Sequence, residues 1–74
     1  MIEIKYCSVW NYLPEALRVR DQLSTLGHPD IRLVKGGGGI FEILANNKLI
    51  YSKTSTGRFP STEEINGLNI LFNK

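Results

Sequence analysis

The chain lacks most of the covalent and electrostatic features from which the structural or functional class of a small protein can be predicted. Its 74 residues include one cysteine, which excludes an internal disulfide and a cysteine-rich zinc cluster. Nine Lys and Arg against seven Asp and Glu give a net charge of +2 without a basic run, so nucleic acid is not an expected partner. Apolar runs of two or three residues are too short to cross a membrane, so no membrane partner is expected.

What is present suits one small globular domain. Hydrophobic residues make up 42% of the chain, which is enough to form a core and argues against general disorder. The opening residues Met1 to Lys5 lack the basic and apolar regions of a signal peptide. We therefore expect a single domain over residues 1–74, in the reducing environment of the cytoplasm.

Hydrophobic periodicity divides the chain into four strands and two helices. Alternation of apolar and polar residues predicts strands, and apolar residues three or four apart predict helices. In chain order we predict strand Met1–Tyr6, helix Tyr12–Leu26, strand Ile31–Val34, a glycine loop Gly36–Gly39, strands Ile40–Ala45 and Lys48–Lys53, a polar loop Thr54–Arg58, and a helix after Ser61.

The ends of the first helix carry recognisable signals. Asn11 is a candidate N-cap and Ser8 is the earlier alternative. Pro14 fits a first turn that starts from Asn11, whereas it would kink a helix that starts at Ser8. Gly27 is expected to end the helix, and Pro29 follows it.

Asn46 and Asn47 join two strands as a predicted two-residue hairpin turn of type I′, because asparagine tolerates the positive φ that this turn requires. The turn predicts four cross-strand pairs: Ile43 with Ile50, Phe41 with Ser52, Leu44 with Leu49, and Glu42 with Tyr51. For the last helix, Ser61 and Glu64 form a predicted capping box, flanked by the apolar staple residues Pro60 and Ile65.

The predicted architecture is an α/β, β-α-β-β-β-α two-layer sandwich, with a mixed four-stranded sheet and both helices on one face. The predicted core consists of Ile2, Ile4, Tyr6, Leu13, Ala16, Val19, Leu23, Phe41, Ile43, Ile50, Ile65, Leu68 and Phe72, and Leu26 and Leu71 lie on the apolar faces of the two helices. The uncovered sheet face would carry Glu3, Lys5, Arg32, Glu42, Leu44, Leu49 and Tyr51. Its apolar residues suggest weak self-association through that face.

Cys7 is the residue most suggestive of chemistry. It follows the first strand and precedes the first helix, where unpaired backbone N–H groups and the helix dipole stabilise a thiolate. Thioredoxin-like proteins keep a redox pair in such a strand–Cys–x–x–helix arrangement. The second position of that pair is Trp10 here, so a dithiol cycle within the chain is excluded. The alternative is that Cys7 is a small buried apolar residue.

Four segments of the chain resemble the selenoprotein W-like proteins, the Rdx branch of the SelT/SelW/SelH group. Tyr6–Tyr12 is similar to that family's Tyr-Cys-x-x-(Sec or Cys) opening, and Gly39–Ile43 to its Gly-x-Phe-Glu-(Val/Ile) strand. Leu49–Lys53 is similar to its second hairpin strand, and Gly57–Pro60 to its Gly-x-Phe-Pro entry into the last helix. The resemblance covers nearly the whole chain and implies a thioredoxin-like fold.

The resemblance also implies thiol-based redox activity, with glutathione or a protein thiol as partner and no bound cofactor. Of the family's redox residues only Cys7 is retained, because Trp10 occupies the selenocysteine or second-cysteine position. This leaves at most monothiol, glutathione-linked chemistry at Cys7, which we expect to be partly exposed with the Trp10 indole beside its sulfur. Since UGA encodes selenocysteine and is read as tryptophan in some genetic codes, a UGA codon at position 10 is an alternative origin of Trp10.

The other polar residues give weaker signals. Gly36–Gly39 lacks the Lys-Ser/Thr of a phosphate-binding loop and is interpreted as a connection. The cations Lys35, Lys53 and Arg58 flank loops that would bring them towards Cys7, or they are ordinary solvated charges. His28 has no second ligand near it in sequence, so no metal site is predicted.

A second functional hypothesis remains open beside the redox one. The domain would keep the redox fold, lose the reaction and bind another protein, with Trp10 and the partly apolar sheet face as its contact residues. Under this hypothesis the protein is not an enzyme.

Overall fold

The computed structural model describes residues 1–28 and 30–72, with side-chain detail through residue 68. The elements in chain order are β1 (Ile2–Cys7), α1 (Leu13–Thr25), β2 (Ile31–Gly36), β3 (Phe41–Ala45), β4 (Lys48–Ser52), α2 (Lys53–Thr56) and α3 (Thr62–Phe72). No helix in the described part of the chain is long and apolar enough to cross a membrane.

The four strands form one mixed sheet in the order β2-β1-β3-β4. β1 runs parallel to β2 and antiparallel to β3, and β3 forms a hairpin with β4. Because β2 and β3 lie on opposite sides of β1, the connection between them must pass over the carboxyl end of β1. That connection is the glycine-rich segment 37–40, and Gly36 itself belongs to β2 rather than to the predicted loop.

Both long helices cover the same face of this sheet, which confirms the predicted two-layer α/β sandwich. α1 and α3 supply buried residues to the cluster that also contains the inward side chains of β1 and β3. The core consists of Ile2, Ile4, Tyr6, Ala16, Val19, Leu23, Phe41, Ile43, Tyr51 and Ile65. Leu68 and Ile50 pack against it partly buried. The prediction that Phe72 joins the core falls on a side chain beyond those that the structure describes.

The start of α1 differs from both predicted caps. Neither Asn11 nor Ser8 caps the helix; Tyr12 is the N-cap and makes no side-chain hydrogen bond. Asn11 instead takes a left-handed conformation with φ of 56°. Pro14 falls in the first turn, where a missing N–H costs nothing.

Two apolar residues at the ends of α1 lie outside the core. Leu13 is 37% exposed and Leu26 is 36% exposed, although both fit the apolar face of the helix. Each lies at an end of α1, whereas the buried residues Ala16, Val19 and Leu23 occupy its middle. Pro29, expected to follow the helix, lies outside the described residues.

The hairpin confirms the predicted turn and corrects most of its register. Asn46 and Asn47 have φ of 52° and 70°, and Leu44 pairs with Leu49 as predicted. A bulge then places one extra residue, Ile50, in β4, so the other three predicted pairs are wrong. The observed pairs are Ile43 with Tyr51 and Glu42 with Ser52. Tyr51 was expected on the uncovered face, but this shift turns its ring into the core.

The segment between β4 and α3 is more ordered than the predicted polar loop Thr54–Arg58. Residues Lys53–Thr56 form the short helix α2, which ends at Gly57 in a left-handed conformation with φ of 80°. The Gly57 N–H donates to the Lys53 carbonyl oxygen at 2.6 Å, which closes the turn. The Tyr51 hydroxyl donates to the Arg58 carbonyl oxygen at 2.6 Å and ties the segment to the core.

α3 begins with the predicted capping box. The Ser61 N–H donates to Glu64 Oε1 at 2.9 Å, and the Glu64 N–H donates to Ser61 Oγ at 3.1 Å. The staple residues Pro60 and Ile65 are buried. Arg58 pairs with the same Glu64 oxygen; its hydrogen bond, followed by that of the Ser61 N–H, lowers the pKa of Glu64 from 4.5 to about 2.

Candidate functional site

Cys7 lies at the carboxyl end of β1, in the interior of the sheet. It pairs with Gly36 on one side, and its N–H donates to the Ile40 carbonyl oxygen at 2.9 Å on the other. A Cβ added to Gly36 would lie 2.5 Å from Ile40 Cδ1. Since Gly36 and Ile40 flank Cys7 from opposite sides, the Ile40 side chain extends across Cys7 into space that only a glycine leaves free.

The thiol of Cys7 is fully buried, with 0% exposure, and this corrects our expectation of partial exposure. The sequence places Cys7 at a strand end beside a glycine run, which is ordinarily an open position. Here the connection from β2 to β3 passes over that strand end and brings Ile40 with it. Cys7 and Trp10 therefore differ in access to solvent, because Trp10 is 61% exposed.

A compact turn of the chain leads from Cys7 into α1. The Tyr12 N–H donates to the Cys7 carbonyl oxygen and the Asn11 N–H to the Ser8 carbonyl oxygen, each at 3.1 Å. The Trp10 N–H donates to Cys7 Sγ at 3.4 Å. The backbone of residue 10 thus lies within hydrogen-bonding distance of the sulfur. In a Cys-x-x-Cys motif that starts at Cys7, residue 10 would be the second cysteine.

The Trp10 indole packs against the glycine connection. It lies on Gly39, where an added Cβ would be 2.6 Å from Trp10 Cζ3 and 2.8 Å from Cε3. Gly39 has φ of 73°, so its position suits glycine for a second reason. The Trp10 N–H thus lies at Cys7 Sγ, and the Trp10 ring lies at Gly39.

Three rings, which we call the aromatic row, continue from this point across the surface: Trp10, Tyr12 and Phe59. Trp10 meets Tyr12 edge-on at 6.1 Å between centroids, and Tyr12 meets Phe59 edge-on at 4.8 Å. Phe59 also meets the buried Phe41 at 5.1 Å, which anchors the row to the core. Edge-to-face pairs of this kind are favoured by the ring quadrupoles.

A cation accompanies the aromatic row. Lys53 Nζ lies 5.4 Å from the Phe59 centroid and 5.6 Å from the Tyr12 centroid, within cation–π range of both. Of the cations that sequence grouped near Cys7, Lys53 thus lies at the aromatic row and Arg58 pairs with Glu64. Lys35 pairs with Tyr6 across the β1–β2 ladder and is exposed.

The aromatic row is the feature that sequence reasoning missed. Tyr12 is far from Lys53 and Phe59 in the chain, and the fold brings it against both of them. The Phe59-Pro60 pair before the capping box was the available signal, since proline restricts the backbone of the residue before it. Through the described residues, no three His, Cys, Asp or Glu side chains gather into a possible metal site.

Comparisons with known proteins agree with this geometry. A crystal structure of a selenoprotein W-related protein from Vibrio cholerae superposes with a TM-score of 0.89 at 24% identity, covering 99% of this chain and 95% of that one. A crystal structure of a Bordetella parapertussis protein gives 0.79 at 28% identity with the same coverage. No match was found among the curated proteins. The family model of the Rdx family matches residues 1–68, and the chain belongs to that family.

Proposed function

We propose that this protein is a selenoprotein W-like, thiol-based redox protein of the cytoplasm that acts through the single thiol of Cys7. The observation that carries the proposal is the 3.4 Å contact between the Trp10 N–H and Cys7 Sγ. This contact puts the backbone of position 10, the second position of the family's redox pair, at the single thiol of the chain. The same turn belongs to a member of the Rdx family with a thioredoxin-like fold.

The proposed step is exchange with oxidised glutathione. The Cys7 thiol loses its proton to solvent, and the thiolate attacks one sulfur of the glutathione disulfide. A Cys7–glutathione disulfide forms, the glutathione S–S bond breaks, and one glutathione thiolate leaves. Free glutathione reverses the step, so glutathione or a protein thiol serves as partner and no bound cofactor is needed.

Burial of Cys7 requires either the connection that carries Ile40 or the turn that follows Cys7 to move away from the thiol before this exchange. Ser8, Val9 and Asn11 are exposed, so residues 8–11 are held chiefly by their backbone bonds and by the Trp10 ring on Gly39. Few buried contacts need to break, and local opening of such segments costs much less than global unfolding. Reaction of Cys7 is therefore expected to be slow and limited by opening.

The burial of Cys7 also favours a second candidate function. The thiol of Cys7 is 0% exposed, whereas the nearby side chains of Val9 and Trp10 are 83% and 61% exposed. A loop that buries its thiol and exposes its apolar side chains is better suited to binding a partner than to thiol exchange. In this alternative the domain binds another protein and performs no redox turnover.

Mass spectrometry of two variants distinguishes the candidates. Wild-type protein incubated with oxidised glutathione is expected to gain one glutathione at Cys7, removable by added thiol. Trp10→Cys is expected to form an internal disulfide with Cys7, seen as a two-proton mass loss, because its backbone already lies beside Sγ. The matched control Val9→Cys, whose side chain is exposed, is expected to gain glutathione at the new thiol instead.

Two results together would overturn the redox proposal: no adduct at Cys7 after prolonged incubation, and no mass loss in oxidised Trp10→Cys. The interaction-domain hypothesis would then be the better account. Loss of the two protons in Val9→Cys as well would mean that the loop is too mobile for the Trp10 contact to matter.

A further inference from the structure

The aromatic row and Lys53 form a surface that the redox step does not use. Phe41 holds Phe59 in place from the core, and Tyr12 and Phe59 share the Lys53 ammonium between them. At the other end Trp10 is 61% exposed and lies against Gly39. The surface therefore has an apolar, solvent-accessible end and a cationic end, joined by contacting rings.

The charge at the cationic end is not neutralised. Through residue 68, the ion pairs join Arg18 with Glu15, Arg20 with Asp21, and Arg58 with Glu64, and none of them involves Lys53. The Lys53 ammonium has three N–H donors, and its contacts with the two rings are made with the ring faces. N–H groups that point away from the rings can therefore donate to an anion. An incoming carboxylate would thus meet a cation already positioned and partly desolvated.

We infer that this surface binds an acidic peptide, with a carboxylate at Lys53 and a neighbouring apolar side chain on Trp10. An inorganic anion would use Lys53 and leave the exposed Trp10 ring uncovered, whereas a peptide covers both ends. Exposed tryptophan and tyrosine are the side chains that dominate peptide and protein interfaces, since they bury large areas with little loss of conformational freedom. Val9, 83% exposed beside Trp10, extends the apolar end.

The single tryptophan of the chain reports directly on this surface. The probe is the hexapeptide acetyl-Gly-Glu-Phe-Glu-Phe-Gly-amide, titrated into reduced protein while Trp10 fluorescence is recorded. Its counterpart carries glutamine in place of both glutamates. The acidic peptide is expected to change the emission saturably, and the glutamine peptide to bind about fivefold more weakly, as expected when a surface ion pair is lost.

Three lysine variants test the assignment of the charge. Lys53→Gln is expected to bind both peptides equally, at the weaker affinity, and Lys53→Arg to restore the preference for the acidic one. The matched control Lys48→Gln removes an exposed lysine from β4, the strand that leads into Lys53, and is expected to retain the preference. Circular dichroism of each variant confirms that the fold is intact, and all measurements use thiol-reduced protein so that Cys7 chemistry does not contribute.

Several results would overturn the inference. One is the absence of saturable binding, and another is equal affinity of the wild-type protein for both peptides. A third is an equal loss of affinity for the acidic peptide in Lys48→Gln and Lys53→Gln, which would mean that only the net charge of the protein matters. Binding of anionic but not zwitterionic phospholipid vesicles, without peptide binding, would assign the surface to lipid instead. None of these outcomes depends on whether Cys7 reacts, so failure here is separate from failure of the redox proposal.

Discussion

Replacing Gly39 by alanine separates the two reasons for glycine at that position. The φ of 73° is one reason, and placing an L-residue there costs about 1–2 kcal/mol. The second is the Trp10 ring, three of whose atoms lie within 3.0 Å of the site of an added Cβ. Gly39→Ala therefore strains the backbone and also displaces the indole.

Gly38 offers the matched control. It has φ of 67°, yet an added Cβ would meet no atom within 4 Å. Gly38→Ala is thus expected to incur only the backbone cost of about 1–2 kcal/mol. Gly39→Ala should lose on the order of five ring contacts as well, at ~0.1–0.2 kcal/mol each, a further destabilisation of about 0.5–1 kcal/mol.

Urea unfolding followed by circular dichroism measures both costs, and Trp10 fluorescence measures the position of the indole. Gly39→Ala is expected to shift the native emission towards the red, because a displaced ring is more hydrated, while Gly38→Ala leaves the emission unchanged. If the two variants match in both emission and free energy of unfolding, Trp10 does not rest on Gly39 and the account of the loop around Cys7 is wrong.

Three further outcomes are expected. Leu23→Ala should lower the free energy of unfolding by about 2–5 kcal/mol, while Leu13→Ala, at a 37% exposed position, should cost far less; equal losses by calorimetry would contradict the core assignment. Since the pKa of Glu64 is lowered from 4.5 to about 2, its stabilising contribution is present above pH 4.5 and is lost as pH falls towards 2. Glu64→Gln should flatten the melting temperature across that range, and an unchanged acid profile would refute the role of the Arg58 pair. Iodoacetamide should alkylate Cys7 much more slowly in native protein than in urea, and equal rates would contradict its burial.

Local patterns in the sequence identify much of the fold because they act over short distances. Alternation in β1, the asparagine turn and the capping box at Ser61 each depend on neighbours within a few residues. The Ile50 bulge is different: Tyr51 is drawn into the core by packing and by its hydroxyl bond to the Arg58 carbonyl oxygen. No spacing rule at the turn contains that information.

In the candidate site, too, some features follow from local sequence and others depend on the tertiary fold. Cys7 is conspicuous in sequence because of its place between a strand and a helix. Its burial depends on Ile40 reaching over Gly36, which follows from the order of the strands rather than from any local motif. Lys53 was noted as a cation, but its contact with Tyr12 and Phe59 requires the tertiary fold.

The bulge in β4 has a consequence for how copies of this chain behave at high concentration. β4 and β2 are the two edges of the sheet, and an edge strand offers its free backbone groups to any neighbouring chain. The extra residue at Ile50 interrupts the regular spacing of those groups, and Lys48 places a charge at the start of the strand. On the opposite edge, exposed Arg32 and Lys35 place two charges within β2. Both edges thus resist strand-to-strand growth into fibrils, a protection of use to a small domain that has no disulfide to stabilise it.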